Sequence, residues 1–497
     1  MVRANVPRQP PVRMTLLLDE IDVLETSGRP DAVDVTSVEH DSRRVTPGAL
    51  FCCLVGRETD GHAHAAEAVS RGAVGLVHEH ELGPLPGEVA RARVAPGTGR
   101  AAMARLAATL HGRPAESLLM AGVTGTNGKT TVSHLLGAIL EHAGHPTTVV
   151  GTLTGVRTTP EATDLQRLLA SVRDAHPSGP RPAVAMEVSS HALVQGRVDT
   201  ICFDVALFTN LSHDHLDFHG SMEAYFEAKA TLFEPERARV AVVDSEDPWG
   251  RRLLERIGVP AVGVSAACAQ DVALEVGRSS FTWRGQHVSV PLTGMVNVRN
   301  ALLAAEAGVA LGFEPGVVAE GLSAARTLPG RAEVVDTGDL GFSVLVDYAH
   351  TPAALDAVLG EARRIASARG GRTTVVFGCG GDRDAAKRPA MGGIAATGAD
   401  SVVVTSDNPR TEDPGRIIAE ILQGMADPTA ATVEPDRRRA IETAIARAQP
   451  GDVVVVAGKG HETVQVVGER RVPFDDRAVA AQAVAALRSA RTTRRDA

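Results

Sequence analysis

Short apolar runs closed by polar or glycine-rich turns recur along this chain, and longer stretches with helical spacing of Ala, Leu and Val lie between them. Runs at 118–123, 183–188, 204–208 and 240–243 predict one set of buried strands. Runs at 344–346, 373–377, 402–405 and 453–456 predict another, separated by Ala-rich helical stretches. Strands apolar throughout and alternating with helices predict parallel sheets covered on both faces. The first segment reads as a smaller α/β unit with two turn-like clusters, Asp41-Ser42-Arg43 and Gly56-Arg57-Glu58-Thr59-Asp60-Gly61, beside apolar runs. Gly112-Arg113-Pro114 marks one boundary and a second falls near Pro329. The predicted architecture is α/β in three domains, 14–113, 114–329 and 330–497, the last Rossmann-like; 1–13 and the basic end 488–497 are predicted to be disordered tails.

Composition narrows the function. The 497-residue length accommodates three domains. Aromatic residues make up only 3%, so aliphatic packing must supply most burial, and a base-stacking surface is disfavoured. A net charge of -9 also argues against a nucleic-acid partner. Cys52, Cys53, Cys202, Cys268 and Cys379 show no C-x-x-C spacing, so neither zinc knuckles nor a disulfide framework is expected, and the cytoplasm is the predicted location. No run approaches membrane-spanning length, and Asp19-Glu20 cut off Leu16-Leu17-Leu18 before a signal-peptide core could form. A monomer without membrane attachment is expected.

Chemistry enters after the run at 118–123. Thr124 is followed by Gly125-Thr126-Asn127-Gly128-Lys129-Thr130-Thr131 and then by a helical pattern. Small residues let successive backbone N–H groups converge on phosphate oxygens, Lys129 neutralises β/γ charge, Thr130 can ligate Mg²⁺, and the helix dipole adds to the field. The pattern is the short form G-x-x-G-K-T, since Val123 stands where the longer phosphate-loop pattern has glycine. A nucleoside triphosphate is the predicted ligand. Glu187, in Met186-Glu187-Val188-Ser189-Ser190-His191, emerges at the next strand end, where a carboxylate would hold the bridging Mg²⁺. The cluster Ser212-His213-Asp214-His215-Leu216-Asp217-Phe218-His219 has two readings. Zinc hydrolases use H-x-H-x-D-H, but the last histidine here is one residue too far and the nucleotide loop has no place in such an enzyme; His215 is read as Mg²⁺-associated. Lys229 lies in a predicted helix at 222–233, where a lysine is ordinarily solvated.

Together with Asp347-Tyr348-Ala349-His350-Thr351-Pro352 and Gly378-Cys379-Gly380-Gly381-Asp382-Arg383, these blocks resemble the Mur ligase family of peptidoglycan amino-acid-adding enzymes, over nearly the whole chain. Asp407-Asn408-Pro409-Arg410 and Gly458-Lys459-Gly460-His461-Glu462 look like the diaminopimelate-adding branch. The resemblance implies a UDP-substrate domain, a central ATP domain and a C-terminal amino-acid domain. It implies UDP-N-acetylmuramoyl-L-alanyl-D-glutamate, diaminopimelate and ATP as substrates, with two Mg²⁺ ions. Ser42, Arg57, Glu58 and Thr59 would contact the uridine end, and Thr158, Thr159, Ser189, Gln195 and Arg197 the muramoyl-peptide portion. ATP would meet Thr124, Gly125, Thr126, Asn127, Gly128, Lys129 and Thr130, with Asn297 and Asn300 at the adenine; Asp244 departs from the asparagine common in relatives. Lys229 would be carbamylated and join Thr130, Glu187 and His215 around metal. Arg383, Asp407, Asn408, Pro409, Arg410, Gly458 and Glu462 would form the diaminopimelate pocket.

The reaction implied is amide formation through an acyl phosphate, since a free carboxylate is a poor electrophile and phosphorylation supplies a leaving group. Lys129 would spread the transferred charge. His350 would position groups or take a proton, or else cap the helix after Pro352. Closure of the third domain would keep water from the acyl phosphate. Competing readings are a folylpolyglutamate synthetase, a lysine-adding relative, or a nucleotide-dependent regulatory protein without turnover. Arg410 argues against the first two. Lysine lacks the far carboxylate of diaminopimelate and would strand a buried guanidinium, at roughly 2 to 5 kcal/mol, or about 30- to 4000-fold in preference.

Overall fold

A chain of apolar strands with polar ends folds here into a parallel sheet that delivers those ends to one edge. In the computed structural model, which describes residues 10–56, 59–155 and 157–495, the central sheet runs Ala261–Val264, Ala241–Asp244, Val205–Phe208, Leu119–Thr124, Ala183–Glu187, Thr147–Val150, every neighbour parallel. Leu119–Thr124 comes first in sequence yet lies inside, between Val205–Phe208 and Ala183–Glu187. It is therefore a switch point, where loops on either side diverge and leave a crevice.

Side-chain alternation splits the core cleanly. Leu119, Ala121, Val123, Ala183 and Ala185 pack on the face covered by helices Lys129–His142 and Met295–Ala310, and Met120, Val184 and Met186 pack on the other with Leu165, Leu169 and Phe203. Each large apolar side chain fully buried in this way contributes about 1.5–3 kcal/mol. An antiparallel sheet of Gln270–Glu275, Arg278–Trp283 and Gln286–Val290 is appended, with Trp283 buried against Glu306, to which its indole N–H donates at 2.9 Å.

The C-terminal sheet runs Glu333–Val335, Ser343–Asp347, Val453–Ala457, Thr373–Phe377, Ser401–Val404, Thr432–Val433, parallel except for the first strand. The N-terminal sheet runs Val23–Ser27, Ala90–Val94, Ala73–His78, Ala49–Cys52, Ser37–Glu39. Arg44 donates to both Asp164 oxygens, at 2.9 and 2.6 Å, and Arg167 to Glu39 at 2.7 Å, which ties this domain to the central one.

Of the two expected tails, residues 1–9 and 496–497 lie outside the described residues; the structure corrects the inner bounds. Val12 and Arg13 pair antiparallel with Val35 and Asp34, so the ordered chain starts before residue 14. The basic end continues helix Asp476–Arg495, whose Val479, Ala480 and Val484 pack into the C-terminal core, so an apolar face carries the arginines into regular structure. No helix among the described residues is long and apolar enough to cross a membrane.

Candidate functional site

The phosphate loop is held open by backbone geometry before any ligand is considered. Gly128 sits at φ 87°, and a Cβ there would lie 2.6 Å from Asn300 Oδ1, so only glycine fits between the loop and helix Met295–Ala310. Lys129 begins helix Lys129–His142 and donates to the carbonyls of Gly125 and Thr126 at 3.0 and 2.8 Å. Burial pushes its ammonium below the ordinary lysine range, against the pull of Glu187 and Asp214. Thr124, by contrast, ends the strand fully buried beneath the loop, and the cleft lining starts at Thr126.

Glu187 is 1% exposed and accepts from Thr130 Oγ1 at 3.0 Å, Thr152 N–H at 2.8 Å and Thr152 Oγ1 at 3.1 Å. Among the described residues no cation pairs with it. A buried carboxylate served only by neutral donors, beside a threonine hydroxyl, fits a hard divalent cation. His215 lies at the rim of the same cleft, and burial pushes its imidazole down to about 4, leaving a neutral ring suited to ligation. Lys229 is 1% exposed, donates to Gly125 O at 2.8 Å, and lies 4.6 Å over the Tyr225 ring. Burial, followed by the nearby Lys129, drives its amine well below the ordinary range, so it is available to react with CO₂.

A second, hydrogen-bonded wall adjoins Glu187 directly. Thr159 Oγ1 donates to Glu187 O at 2.8 Å and accepts the Ser189 N–H at 3.0 Å. Arg197 donates to Thr159 O at 2.8 Å and to Gln195 Oε1 at 2.6 Å, while Thr158 Oγ1 is 3.1 Å from Thr152 Oγ1. Thr158, Thr159, Ser189, Gln195 and Arg197 thus form one hydrogen-bonded surface. Ser42 is buried at the N-terminal boundary and donates to Glu67 at 2.7 Å; Thr59 is exposed, and Arg57 and Glu58 lie outside the described residues.

A cleft of about 480 Å³ joins the central and C-terminal domains, lined by Lys129, Glu187, His215, Asn297, Arg331 and His350 among others. Thr351 Oγ1 donates to Asn127 Oδ1 at 3.2 Å, and Arg331 donates to Thr130 Oγ1 at 2.9 Å while its guanidinium lies 4.6 Å over the Tyr348 ring. His350 Nδ1–H donates to Tyr348 O at 2.8 Å, which leaves the Nε2 lone pair free, and burial pushes the ring down to about 4. Asn300 Nδ2 donates to Asn297 Oδ1 at 3.2 Å, so the two stand together. Asp244 pairs with Arg299 at the same end.

In the C-terminal domain, Asn408 Nδ2 donates to Glu462 Oε2 at 2.8 Å, and Arg410 donates to Gly381 O at 2.6 Å. Burial, and after it the charge of Arg383, lowers the Arg410 pKa. Gly458 stands over Asp407, whose burial raises its carboxyl pKa. The peptide after Pro409 places Arg410 at φ 52°.

Comparison with known proteins matches this layout domain by domain. The Mur ligase family catalytic domain matches residues 34–110, the Mur ligase middle domain 123–308, and the Mur ligase glutamate ligase domain 330–460. The chain is 43% identical over 514 residues to a UDP-N-acetylmuramoyl-L-alanyl-D-glutamate–2,6-diaminopimelate ligase of Streptomyces coelicolor, covering 97% of this chain and 99% of that one. The chain belongs to the Mur ligase family. A ligase of the same description from Gloeobacter violaceus is 44% identical over 94% of this chain and 97% of its own length. A solved structure of a ligase so described superposes with a TM-score of 0.63 at 32% identity, covering 96% of this chain and all of that one. A MurF ligase from Thermotoga maritima in complex with ADP shares the fold, at TM-score 0.61, 18% identity, and 92% and 98% coverage.

Residues to which the sequence assigns no role also enter the site. Arg331 sits in the linker and reaches the phosphate loop across the cleft. Lys459 is 0% exposed and donates to Asn408 Oδ1, Glu462 Oε2 and Val464 O at 3.1, 2.9 and 2.7 Å. Glu462 is therefore already partnered by Lys459 and Asn408, with part of its side chain open to solvent. Arg388 is buried and binds Glu412, Glu420 and Gly380 O, fixing the loop that ends in Arg383. Asp60, His62 and His80 also cluster, but His62 Nε2 accepts the Glu79 N–H at 2.9 Å; its proton is then on Nδ1, facing Asp60, and the ring offers a metal no lone pair.

Proposed function

We propose that this Mur ligase joins diaminopimelate to the D-glutamate γ-carboxylate of UDP-N-acetylmuramoyl-L-alanyl-D-glutamate, with ATP converted to ADP and phosphate, as a monomer in the cytoplasm. The substrate assignment is supported by the names of relatives that match along their whole length. The observation that carries it is the double use of Glu187. Its side chain accepts from Thr130 of the phosphate loop while its carbonyl accepts from Thr159 of the acceptor wall. A γ-phosphate and an acceptor carboxylate bound on these two sides meet one residue apart.

In this reading the acceptor carboxylate attacks the γ-phosphorus in line, and ADP leaves with the electron pair of the broken P–O bond. Lys129 and Arg331 spread the equatorial charge. Thr130, Glu187 and His215 would hold Mg²⁺, and a carbamylated Lys229 would contribute to a second; bound there, the ions neutralise the phosphates and orient the transferred group. The diaminopimelate amine arrives protonated. Solvent takes that proton, His350 Nε2 accepts a hydrogen bond from the free amine, and the amine attacks the acyl carbon; the bond to phosphate breaks, the amide forms, and the second amine proton leaves with the phosphate. Glu462 receives the far ammonium, and Arg383 and Arg410 a far carboxylate.

Purified protein with ATP, Mg²⁺ and the UDP-linked dipeptide should release ADP stoichiometrically with tripeptide only when diaminopimelate is added. Faster turnover with lysine, or turnover with a glutamyl-folate, would replace this substrate assignment.

A further inference from the structure

His215 adopts φ 55°, a left-handed conformation that a side chain with a Cβ rarely takes, and it holds this strained position at the start of the short helix Leu216–His219. Strain at one residue persists only where neighbours over-determine it. Asp214 Oδ1 accepts the His215 N–H at 3.0 Å, and Asp214 Oδ2 lies 3.5 Å from His215 Nε2, so one carboxylate sets both the peptide and the ring.

The two residues before His215 are gripped in turn from the other domain. His213 Nε2–H donates to Asp384 Oδ2 at 2.9 Å. Lys387 Nζ stands 3.9 Å from Asp214 Oδ1, and Asp214 is its only ion-pair partner among the described residues. Asp384 cannot swing freely, because its Oδ1 accepts the Ala386 N–H at 3.0 Å where helix Lys387–Gly398 begins. Lys387 is 7% exposed, so its side chain is packed into this boundary. The senses of the contacts alternate: a donor and a carboxylate at 213 and 214 meet a carboxylate and a cation at 384 and 387. A register slip would bring Asp214 against Asp384.

We propose that Asp384 and Lys387 are positioning residues for His215, holding its strained backbone in place across the domain boundary. This rests on the reading of His215 as a metal-side residue. The consequence is a mechanical link between two subsites. Arg383 directly precedes Asp384, so the loop that contributes to the amino-acid pocket also fixes the histidine beside the phosphate loop. His215 is set when the C-terminal domain lies against the central one.

The test uses the full chain with ADP and Mn²⁺ as the probe ion, free Mn²⁺ being counted by its electron paramagnetic resonance signal, alongside coupled turnover. Asp384→Asn, Lys387→Met and His213→Ala should each weaken Mn²⁺ binding about 10-fold, with unchanged KM for the UDP-linked dipeptide. Lys387→Arg should restore binding. His213→Ala touches only a side chain on the central domain, so it reports even where a C-terminal variant folds poorly. His215→Gln separates the two layers of argument. If it leaves Mn²⁺ binding unchanged, the metal-side reading of His215 fails. If it weakens binding while the other three variants match the wild type, the positioning proposal is overturned.

Discussion

Replacing Lys459 with methionine tests whether the amino-acid pocket is organised by a buried cation. Methionine preserves most of the stem packing and deletes the donors that reach Asn408 Oδ1, Glu462 Oε2 and Val464 O. The losses are unequal. Asn408 Oδ1 keeps the Val466 N–H at 2.9 Å, and Glu462 keeps the Asn408 Nδ2–H at 2.8 Å with 29% of its side chain open to water. Val464 O loses its lysine partner. One charged hydrogen bond weakened by solvent, plus one carbonyl left short, comes to about 2–4 kcal/mol. For a unit of this size, that lowers the unfolding temperature by roughly 4–16 °C. Glu462 and Asn408, no longer pinned, should also raise the KM for diaminopimelate by about tenfold for each ~1.4 kcal/mol of lost orientation, while the KM for ATP holds. Calorimetric unfolding and steady-state kinetics read both. An unshifted transition with unchanged diaminopimelate KM would refute the organising role.

Glu187→Gln keeps the Thr130 and Thr152 contacts in size but not in charge, and should cut kcat by about 10²-fold or more, with excess Mg²⁺ recovering part of it; full activity at ordinary Mg²⁺ would contradict the assignment. Gly330 lies at φ 62° with its would-be Cβ 2.1 Å from the Gly460 carbonyl carbon, so Gly330→Ala should part the linker from the C-terminal domain and let ATP hydrolyse without product; tight coupling in that variant would count against closure. Burial, with Arg167 and Arg173 nearby, pushes His111 from the ordinary 6.5 down to about 4, so the unfolded chain binds its proton first; stability should fall as pH drops from 6.5 toward about 4, and His111→Gln should make that slope shallower by one histidine's share, His215, His219, His350 and His461 supplying the rest. Intact mass of active enzyme near neutral pH should show a carbamate-sized addition that Lys229→Met removes, and an unmodified lysine in fully active protein would remove that proposal.

Much of this arrangement was legible because it is local. Buried parallel strands must be apolar along their whole length, so Thr373–Phe377 was found to the residue, and the others within one or two. A phosphate loop needs glycine and lysine at fixed spacing, so it too stands out. The appended antiparallel sheet did not, because Gln270–Glu275 is mostly exposed and carries polar residues that resemble a loop. Thr147–Val150 and Ala261–Val264 are edge strands with half-covered faces and weak apolar runs. Arg331, Lys387 and Lys459 acquire meaning only from partners: Thr130 lies 201 positions from Arg331, and no spacing rule connects them. The start of the first domain shifts for a related reason. Val12 and Arg13 are ordered by pairing with Val35 and Asp34, a partnership that their own composition does not encode.

The central claim is that ATP makes the acceptor carboxylate reactive by phosphorylating it, and the direct measurement is the fate of the carboxylate oxygen. With the D-glutamate γ-carboxylate of the UDP-linked dipeptide labelled with heavy oxygen, one labelled atom should appear in the phosphate released with each tripeptide formed. Phosphate carrying no label, at full product yield, would contradict the account.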